Sequence, residues 1–478
     1  MVLNQARALL TAGDDVLIIT GELPQPAPEL GDIPVVRLDA LGYDSAPQAA
    51  PQRIEPRELA DAIMAAIGSR WEGGADVLHV HNPLIQKNAA LIPALRLLAQ
   101  RGVPLLLQNH DLAEDFRPDV YAGEEEYPHN CHYAVVNSRD YSFLHRAGLK
   151  PEGLHLIVNE VSPVQAAPNL ERTRYLYPAR GVRRKNLGEA LLLSLFIPRG
   201  RTVAITLPPA GELDMAVYRR WVEFAGELGL PVEFELGLTQ SLQDMFGSAV
   251  AVLTTSVKEG FGFSYLEPWT AGRTVIGRRI DYVCRDFEDE GLRFKPAGTK
   301  ADPLYSEIRI PMEYISPPVL KNKIDHTMHR IYQAFGLAVP GYIISMMEEH
   351  LQSAKYVDFG VLDEELQGGI IHTLAANPAV VRDVEAINPF LREIRTWQGE
   401  AETKLSGLIE ANRHIISQSY GAERTGSLLR DTYRTVMTTP VTHKISKALL
   451  LELYLDPLKL FLVGVGSGIN SSGIYSDG

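Results

Sequence analysis

One stretch of the sequence, residues 249–269, constrains the fold more than any other. An apolar run at 249–253 is typical of a buried strand. Gly260 and Gly262 follow it, ahead of a predicted helix that runs through residues 265–269. A strand, a glycine-rich turn and a helix start direct backbone N–H groups and the positive end of a helix dipole at one point. The stretch therefore predicts a site for an anionic group such as a phosphate.

Two glutamates border this predicted turn. Glu259 precedes the glycines, and Glu267 is expected about one helical turn inside the helix. Carboxylates do not serve a phosphate, but they accept hydrogen bonds from hydroxyl groups such as those of a sugar or a ribose. On the residues alone, an ordinary surface helix after a glycine turn is the simpler alternative.

Taken together, the stretch resembles the E-x7-E signature of retaining GT-B glycosyltransferases of glycosyltransferase family 4. Glu259 and Glu267 have the spacing of that signature. The resemblance implies that Glu259 contacts hydroxyls of the transferred sugar and Glu267 those of the ribose. It also implies a shared donor-binding set between them: Gly260, Phe261, Gly262, Phe263 and Ser264.

A second motif is basic and lies upstream. Arg180 and Lys185 stand five positions apart after a predicted strand at 173–177. The pair resembles the family's Arg-x4-Lys pair, which grips the donor diphosphate. A forked guanidinium and an ammonium are suited to neutralising such a group. A solvated basic loop is the alternative reading, and the roles of Arg183 and Arg184 are left open.

Histidines supply the remaining candidates. His110 follows a predicted strand at 103–107, at the edge where open α/β sheets bind ligands. The resemblance implies that this histidine contacts the donor sugar on the acceptor side, and a histidine that only caps a strand end is the alternative. His79 and His81 share one face of a predicted strand, and we expect them to be structural. The cluster at 129–132 has no matching second ligand pair, so we expect no zinc site.

Composition limits the class of protein. The chain has 478 residues, with 45% hydrophobic and 22% charged residues, as in ordinary globular proteins. Its net charge of -13 argues against a nucleic-acid partner. The two cysteines indicate no disulfide framework, and we expect a cytoplasmic location. We expect no transmembrane segment and no signal peptide, while peripheral contact with a membrane stays open.

Strand and helix patterns alternate along most of the chain and predict an α/β protein. The resemblance makes this a GT-B fold, with two Rossmann-like domains facing across a cleft. We expect the acceptor-side domain at 1–165 and the nucleotide-sugar domain at 173–285. An insertion at 286–355, C-terminal helices at 356–465 and a disordered tail at 466–478 complete the prediction.

The first residues depart from the family pattern. An amphipathic helix at 1–10 is followed by a strand at 16–20. The resemblance implies a strand and a glycine-rich loop before this helix, and that strand would be central in a sheet of order 3-2-1-4-5-6. We expect that the start of the chain was assigned too late; a fragment or a diverged family member is the alternative. Any of these puts the activity of this polypeptide in question.

The predicted function is transfer of a hexose from a UDP- or GDP-linked sugar to a hydroxyl acceptor, with retention of configuration. Glu259, His110, Arg180 and Lys185 are the predicted catalytic residues. We expect no metal and no cofactor, because arginine and lysine supply the positive charge. A nucleotide-sugar epimerase with the GT-B fold and a non-catalytic nucleotide-sugar-binding homologue are the alternatives.

Overall fold

The computed structural model describes two compact units. The described residues are 1–23, 30, 31, 33–43, 54–85, 87–123, 126–295, 302–396, 401–456, 460 and 462–464. The first unit contains Met1–Glu160 and Gln418–Leu455. The second contains Val161–Ser417 and the described residues after Leu455. The tail predicted at 466–478 lies outside the described residues.

The first unit alternates helices and parallel strands. Its elements in chain order are α1 (Val2–Thr11), β1 (Ile18–Thr20), β2 (Val35–Arg37), α2 (Pro56–Gly68), β3 (Leu78–His81), α3 (Leu91–Gln100), β4 (Leu105–Asn109), β5 (His132–Val135), α4 (Ser138–Arg146) and β6 (Leu154–Leu156). Two C-terminal helices, α16 (Ala422–Thr438) and α17 (Lys447–Tyr454), complete the unit.

Its strands form two sheets. β1 pairs with β2, and β3–β4–β5–β6 form a second, fully parallel sheet. A cavity of 1170 Å³ is lined by every residue of 14–23 and of 74–83, which include β1 and β3. Because successive side chains of a strand point to opposite faces, this unbroken lining shows that the cavity borders strand edges. In the order 3-2-1-4-5-6 that the family resemblance implies, strand 1 lies between the strands that correspond to β1 and β3.

Alternation along β4 builds a core on each face of the four-stranded sheet. Leu107 packs into a cluster with Leu95 of α3 and Leu450 of α17. The preceding residue, Leu106, packs on the opposite face with Leu9 of α1 and Leu429 of α16. Both faces are therefore covered by helices, as parallel sheets require.

The second unit has a larger sheet and many more helices. Its elements in chain order are β7 (Arg174–Arg180), α5 (Leu187–Ser194), β8 (Thr202–Leu207), α6 (Glu212–Glu227), β9 (Val232–Glu233), α7 (Leu242–Gly247), β10 (Ala249–Thr254), α8 (Glu267–Thr270), β11 (Val275–Arg278), α9 (Asp281–Asp289), β12 (Leu304–Tyr305), β13 (Arg309–Pro311), α10 (Pro317–Ala334), α11 (Gly341–Ser353), β14 (Tyr356–Asp358), α12 (Glu364–Ala376), α13 (Pro378–Ile387), α14 (Pro389–Thr396) and α15 (Ala401–Tyr420), which ends just past the unit boundary.

Six of these strands form one parallel sheet in the order β9–β8–β7–β10–β11–β12. Numbered within the unit, this is the doubly wound order 3-2-1-4-5-6. The strand order reverses between β7, which is buried at its centre, and β10, which is buried along its whole length. Open sheets of this kind bind ligands outside the carboxyl ends of the strands at that reversal.

Three elements differ from what the sequence pattern predicts. β7 continues through Arg180, which we expected in a turn. The pattern at 232–238 predicts one strand, but β9 ends after Glu233, because Glu235 takes a left-handed conformation and opens a 3-10 turn. The pattern at 320–350 predicts one helix, but the structure has α10 and α11, since Gly336 has a φ of +74° and Pro340 follows it. Among the described residues, no helix is long and apolar enough to cross a membrane.

Candidate active site

Two loops meet where the strand order of the second unit reverses. The turn after β7 contains residues 183–185, and the loop after β10 begins at Thr255. The Thr255 hydroxyl lies 2.9 Å from the carbonyl oxygen of Lys185 and 3.0 Å from that of Asn186. The hydroxyl of Tyr177 also donates to the Lys185 carbonyl, at 2.6 Å. The basic turn is therefore fixed to the sheet through its own backbone.

Glu259 forms ion pairs with two basic side chains of this turn. Its carboxylate accepts a hydrogen bond from Nζ of Lys185, and Nη1 of Arg184 lies 3.3 Å from Oε2. The side chain of Glu259 is only 8% exposed. Burial alone would raise the pKa of this carboxyl group, but Lys185 and Arg184 outweigh it and hold the pKa below its usual value. Glu259 is therefore an ionised carboxylate beside two positive charges.

Arg180 is placed differently from the prediction. It is the last residue of β7, and its Nη1 donates to the carbonyl oxygen of Pro208 at 3.2 Å. The guanidinium that joins Lys185 at Glu259 belongs to Arg184, whose role the sequence left open. The basic pair at the carboxylate is thus Arg184 and Lys185.

The glycine turn is shaped by its packing. Gly262 has a φ of +100°, and a Cβ there would lie 2.6 Å from Cγ1 of Val283. The ring of Phe261 packs edge-on against Phe263 and Phe287. Packing and backbone conformation therefore explain why residue 262 is a glycine, in addition to the predicted close approach of a ligand.

The prediction of one helix through residues 265–269 is wrong about where the helix starts and about its being continuous. The structure has a 3-10 turn at Phe263–Tyr265, and the four-residue α8 begins at Glu267. Pro268 favours the break, because it has no backbone N–H to donate to the preceding turn and is suited to the first turn of a new helix. Glu267 is therefore the first residue of α8, and it does not lie one turn inside a longer helix. The Ser264 hydroxyl lies 3.4 Å from that of Thr254.

Glu267 lines a small cavity of 370 Å³ in the second unit. The other lining residues come from the segment before β7 and from α7: Ser162, Pro163, Val164, Gln165, Leu242 and Gln243. Burial raises the pKa of Glu267 to about 7, against a lowering effect of Lys185. Gln165 and Gln243 line the cavity together with Glu267, and no sequence pattern pointed to either glutamine.

His110 belongs to the first unit, directly after β4. Its Nε2 lies 3.2 Å from Nδ1 of His81, and its backbone N–H donates to the side chain of Asn82. The ring of His81 stacks on that of His79, and Nδ1 of His79 forms a hydrogen bond with the hydroxyl of Tyr433. Burial lowers the pKa of His110 to about 4, so its ring is neutral at pH 7. The structure thus places three histidines in one stack.

The N-terminal part of the chain matches a known family of domains. Residues 1–147 match the model of the glycosyl transferase 4-like domain. The fold is similar to that of HepE from Anabaena, crystallised with UDP and glucose, with a TM-score of 0.53 and 14% identity over 91% of this chain and 94% of that chain. The family match covers the first 147 residues and supports the predicted glycosyltransferase family 4. The predicted GT-B fold is confirmed by the structural similarity.

Two other proteins resemble this chain. A glycosyltransferase structure from Rickettsia africae has a TM-score of 0.50 and 13% identity, over 91% of this chain and 94% of that chain. The mannosylglucosyl-3-phosphoglycerate synthase of Petrotoga mobilis is 25% identical over 266 residues, which are 48% of this chain and 52% of that protein. The match therefore spans about half the length of this curated relative.

The family assignment does not test individual residues. Lys185 and Glu259 are in contact, and Glu267 lies close enough to Lys185 for the ammonium to affect its pKa. Arg180 and His110 lie in other surroundings, so the roles of all the predicted site residues stay predictions. Arg184 is the functional candidate that sequence reasoning missed, and its place next to Lys185 in a basic run was the available signal.

Proposed function

We propose that this chain is a retaining glycosyltransferase of family 4, which moves a hexosyl group from a nucleotide-diphospho-sugar to a hydroxyl acceptor. The observation that carries the proposal is the convergence of Lys185, Arg184 and Glu259 at the carboxyl ends of β7 and β10. That is the place where a doubly wound sheet binds its ligand.

The cations would serve the diphosphate of the donor. Lys185 and Arg184 now share one carboxylate, and an incoming diphosphate gives them a second anionic partner. Arg180 is the last residue of β7, and its exposed guanidinium adds a further positive charge. As the glycosidic bond breaks, negative charge grows on the leaving diphosphate, and fixed cations stabilise that transition state.

The two glutamates would hold hydroxyl groups. Glu259 is ionised and buried, so it can accept hydrogen bonds from the transferred sugar while it keeps Lys185 in place. Glu267 opens onto the small cavity with Gln165 and Gln243, which offers the ribose a carboxyl and two amide groups. The backbone of residues 260–264 lies between the two glutamates and is assigned to the donor.

Retention follows from a reaction on one face of the sugar. The bond from the anomeric carbon to the diphosphate oxygen breaks, and the acceptor oxygen bonds to that carbon on the same face. The acceptor proton passes to the leaving diphosphate oxygen, so no protein nucleophile is required. We propose that the reaction needs no cofactor, since the residues named above supply the charge. His110, in the first unit, stays a separate prediction.

The relatives narrow the screen of substrates. HepE was crystallised with UDP-glucose, which places this sugar first among the donors to be tried. The Petrotoga mobilis protein is named for mannosylglucosyl-3-phosphoglycerate, so glycerate, 3-phosphoglycerate and their glucosides are proposed as the first acceptors.

The test is a screen of nucleoside diphosphate release. UDP or GDP would be measured for each nucleotide sugar, with and without each acceptor, and the anomeric configuration of the product determined by NMR. Lys185→Met and Glu259→Gln are the test variants. Lys355→Met is the matched control, because Lys355 is an exposed lysine of the same unit.

The expected result is release that depends on the acceptor, falls by at least about 100-fold in both test variants and is unchanged in the control. Release without any acceptor would instead favour an epimerase or a hydrolase. Tight binding of a nucleotide sugar with no turnover would favour the non-catalytic reading. An inverted product would overturn retention alone.

A further inference from the structure

The basic turn after β7 is held by an unusual backbone conformation. Asn186, which directly follows Lys185, has a φ of +56° and is fully buried. Non-glycine residues rarely adopt this left-handed geometry, and it persists only where the surroundings fix it. Whatever fixes Asn186 therefore also sets the direction of the adjacent Lys185.

The Asn186 side chain is held from two sides. Its Nδ2 donates to Oε2 of Glu189 at 2.8 Å, within α5. Its Oδ1 accepts a hydrogen bond of 2.9 Å from Nε2 of Gln367, which lies 181 positions later in the chain. Gln367 is fully buried in α12, and its Nε2 also lies 3.1 Å from the carbonyl oxygen of Phe359. One amide thus joins α12 to the residue behind Lys185.

The approach of α12 to this turn depends on a glycine. A Cβ on Gly188 would lie 2.2 Å from Oε1 of Gln367, so only a glycine leaves room for this amide. At the start of α12, the carboxylate of Glu364 also lies 3.2 Å from Nε of Arg183. The same helix therefore contacts the basic turn by a hydrogen bond and by an ion pair.

A buried network of ion pairs connects Glu189 to Asp358, which lies shortly before α12 in the sequence. Arg278 of β11 donates to Glu189 from Nε at 2.9 Å, and its Nη1 lies 2.7 Å from Asp358. Glu189 and Arg278 have almost no exposed surface. Asp358 ends β14, six positions before α12 begins. Residues 358–367 thus reach the Asn186 side chain by two routes.

We propose that Gln367 is a positioning residue for the Lys185 turn: it fixes Asn186 and thereby holds the Lys185 ammonium where the donor diphosphate binds. The part that concerns the diphosphate rests on the proposed function above. Gln367 lies in the C-terminal helices, outside the nucleotide-sugar domain predicted from sequence. The C-terminal helices thereby take part in donor binding indirectly, through the Lys185 turn.

The test combines two measurements on three variants. Gln367→Met removes both N–H donors at nearly constant volume, and Gly188→Ala displaces the same amide from the opposite side. Leu374→Ala is the matched control, since Leu374 is a buried residue of α12 two helical turns further along. Isothermal titration with UDP and with GDP gives affinities, and limited trypsin digestion of the native protein gives the cleavage rate after residues 183–185.

The expected result is a roughly tenfold weaker affinity for the diphosphate in Gln367→Met, which is about the effect of losing one buried hydrogen bond. Cleavage after residues 183–185 should also accelerate in Gln367→Met and in Gly188→Ala. Leu374→Ala should lower the thermal midpoint without either effect.

Two results would overturn the proposal. One is a wild-type cleavage rate in Gln367→Met, and the other is equal acceleration in Leu374→Ala at a matched loss of thermal midpoint. Failure of the proposed function has a different signature. A wild-type protein that binds neither UDP nor GDP would remove the diphosphate from the proposal, while the cleavage rates would still decide whether Gln367 holds the turn.

Discussion

Nζ of Lys185 donates a hydrogen bond to Oε1 of Glu259, and this pair joins the loop after β7 to the loop after β10. Both side chains are largely buried, at 16% and 8% exposure. A buried carboxylate is stable as an ion only while its cations remain, so the pair links the stability of the second unit to its proposed function.

Lys185→Met should destabilise the protein more than Glu259→Gln does. The first change leaves a buried carboxylate with Arg184 as its remaining cation, and breaking a buried pair in this way costs about 3–5 kcal/mol. The double variant should recover part of that loss, because it removes the uncompensated charge. Urea unfolding at pH 7 would measure all three, and a Lys185→Met cost no larger than that of Lys355→Met would contradict the expectation.

The lowered pKa of Glu259 predicts that the free energy of unfolding decreases at acid pH. Its pKa in the folded protein is lowered by Lys185 and Arg184, so the unfolded state binds this proton more readily. The contribution is therefore fully present above the unfolded pKa and is lost as pH falls through the lower folded value. Unfolding free energies of wild type and Glu259→Gln, compared from pH 6 to pH 3, should converge on the acid side.

Glu267 predicts the opposite pH dependence. Burial raises its pKa to about 7, so the folded state prefers the protonated form. Its contribution is present below the unfolded pKa and is lost as pH rises through about 7. Relative to Glu267→Gln, wild type should lose on the order of 2 kcal/mol of unfolding free energy between pH 5 and pH 8. A difference that stays constant with pH would mean that the carboxyl group is already ionised at pH 5.

Gly262→Ala should destabilise the loop after β10. The position combines a φ of +100° with a neighbouring atom of Val283 that lies 2.6 Å from the added Cβ. Together these should cost about 2–4 kcal/mol. Gly226→Ala in α6 is the control, because its Cβ would meet no atom within 4 Å and alanine favours helices. Thermal unfolding should show a lower midpoint for the first variant and an equal or higher one for the second.

His110 should titrate far below an ordinary histidine. Burial lowers its pKa to about 4, because the charged ring loses its hydration, and the ring stacks on that of His81. A neutral buried imidazole favours the folded state at pH 7, and this contribution declines as pH falls from about 6.5 to 4. An NMR titration of the histidine ring signals, assigned with His110→Gln, should give a midpoint near 4, whereas a midpoint near 6.5 would mean that the stack opens.

Sequence patterns were sufficient for the architecture. Apolar runs such as 249–253 alternate with helical periodicity, and in a parallel sheet this alternation leaves few topologies. The second unit accordingly has the order 3-2-1-4-5-6, and the glutamate signature falls in the loop after its fourth strand. The family and the GT-B fold followed from that signature, whose residues lie within one local stretch.

The partners of the site residues were decided by tertiary structure. The sequence pairs Arg180 with Lys185, yet side-chain packing brings Arg184 to Glu259 and directs Arg180 to Pro208. Gln367 reaches Asn186 across 181 positions, which no local pattern encodes. Strand and helix periodicity is set by near neighbours along the chain and can be seen in the sequence. Which distant side chains meet depends on how the helices pack on the sheet, so only the folded structure determines it.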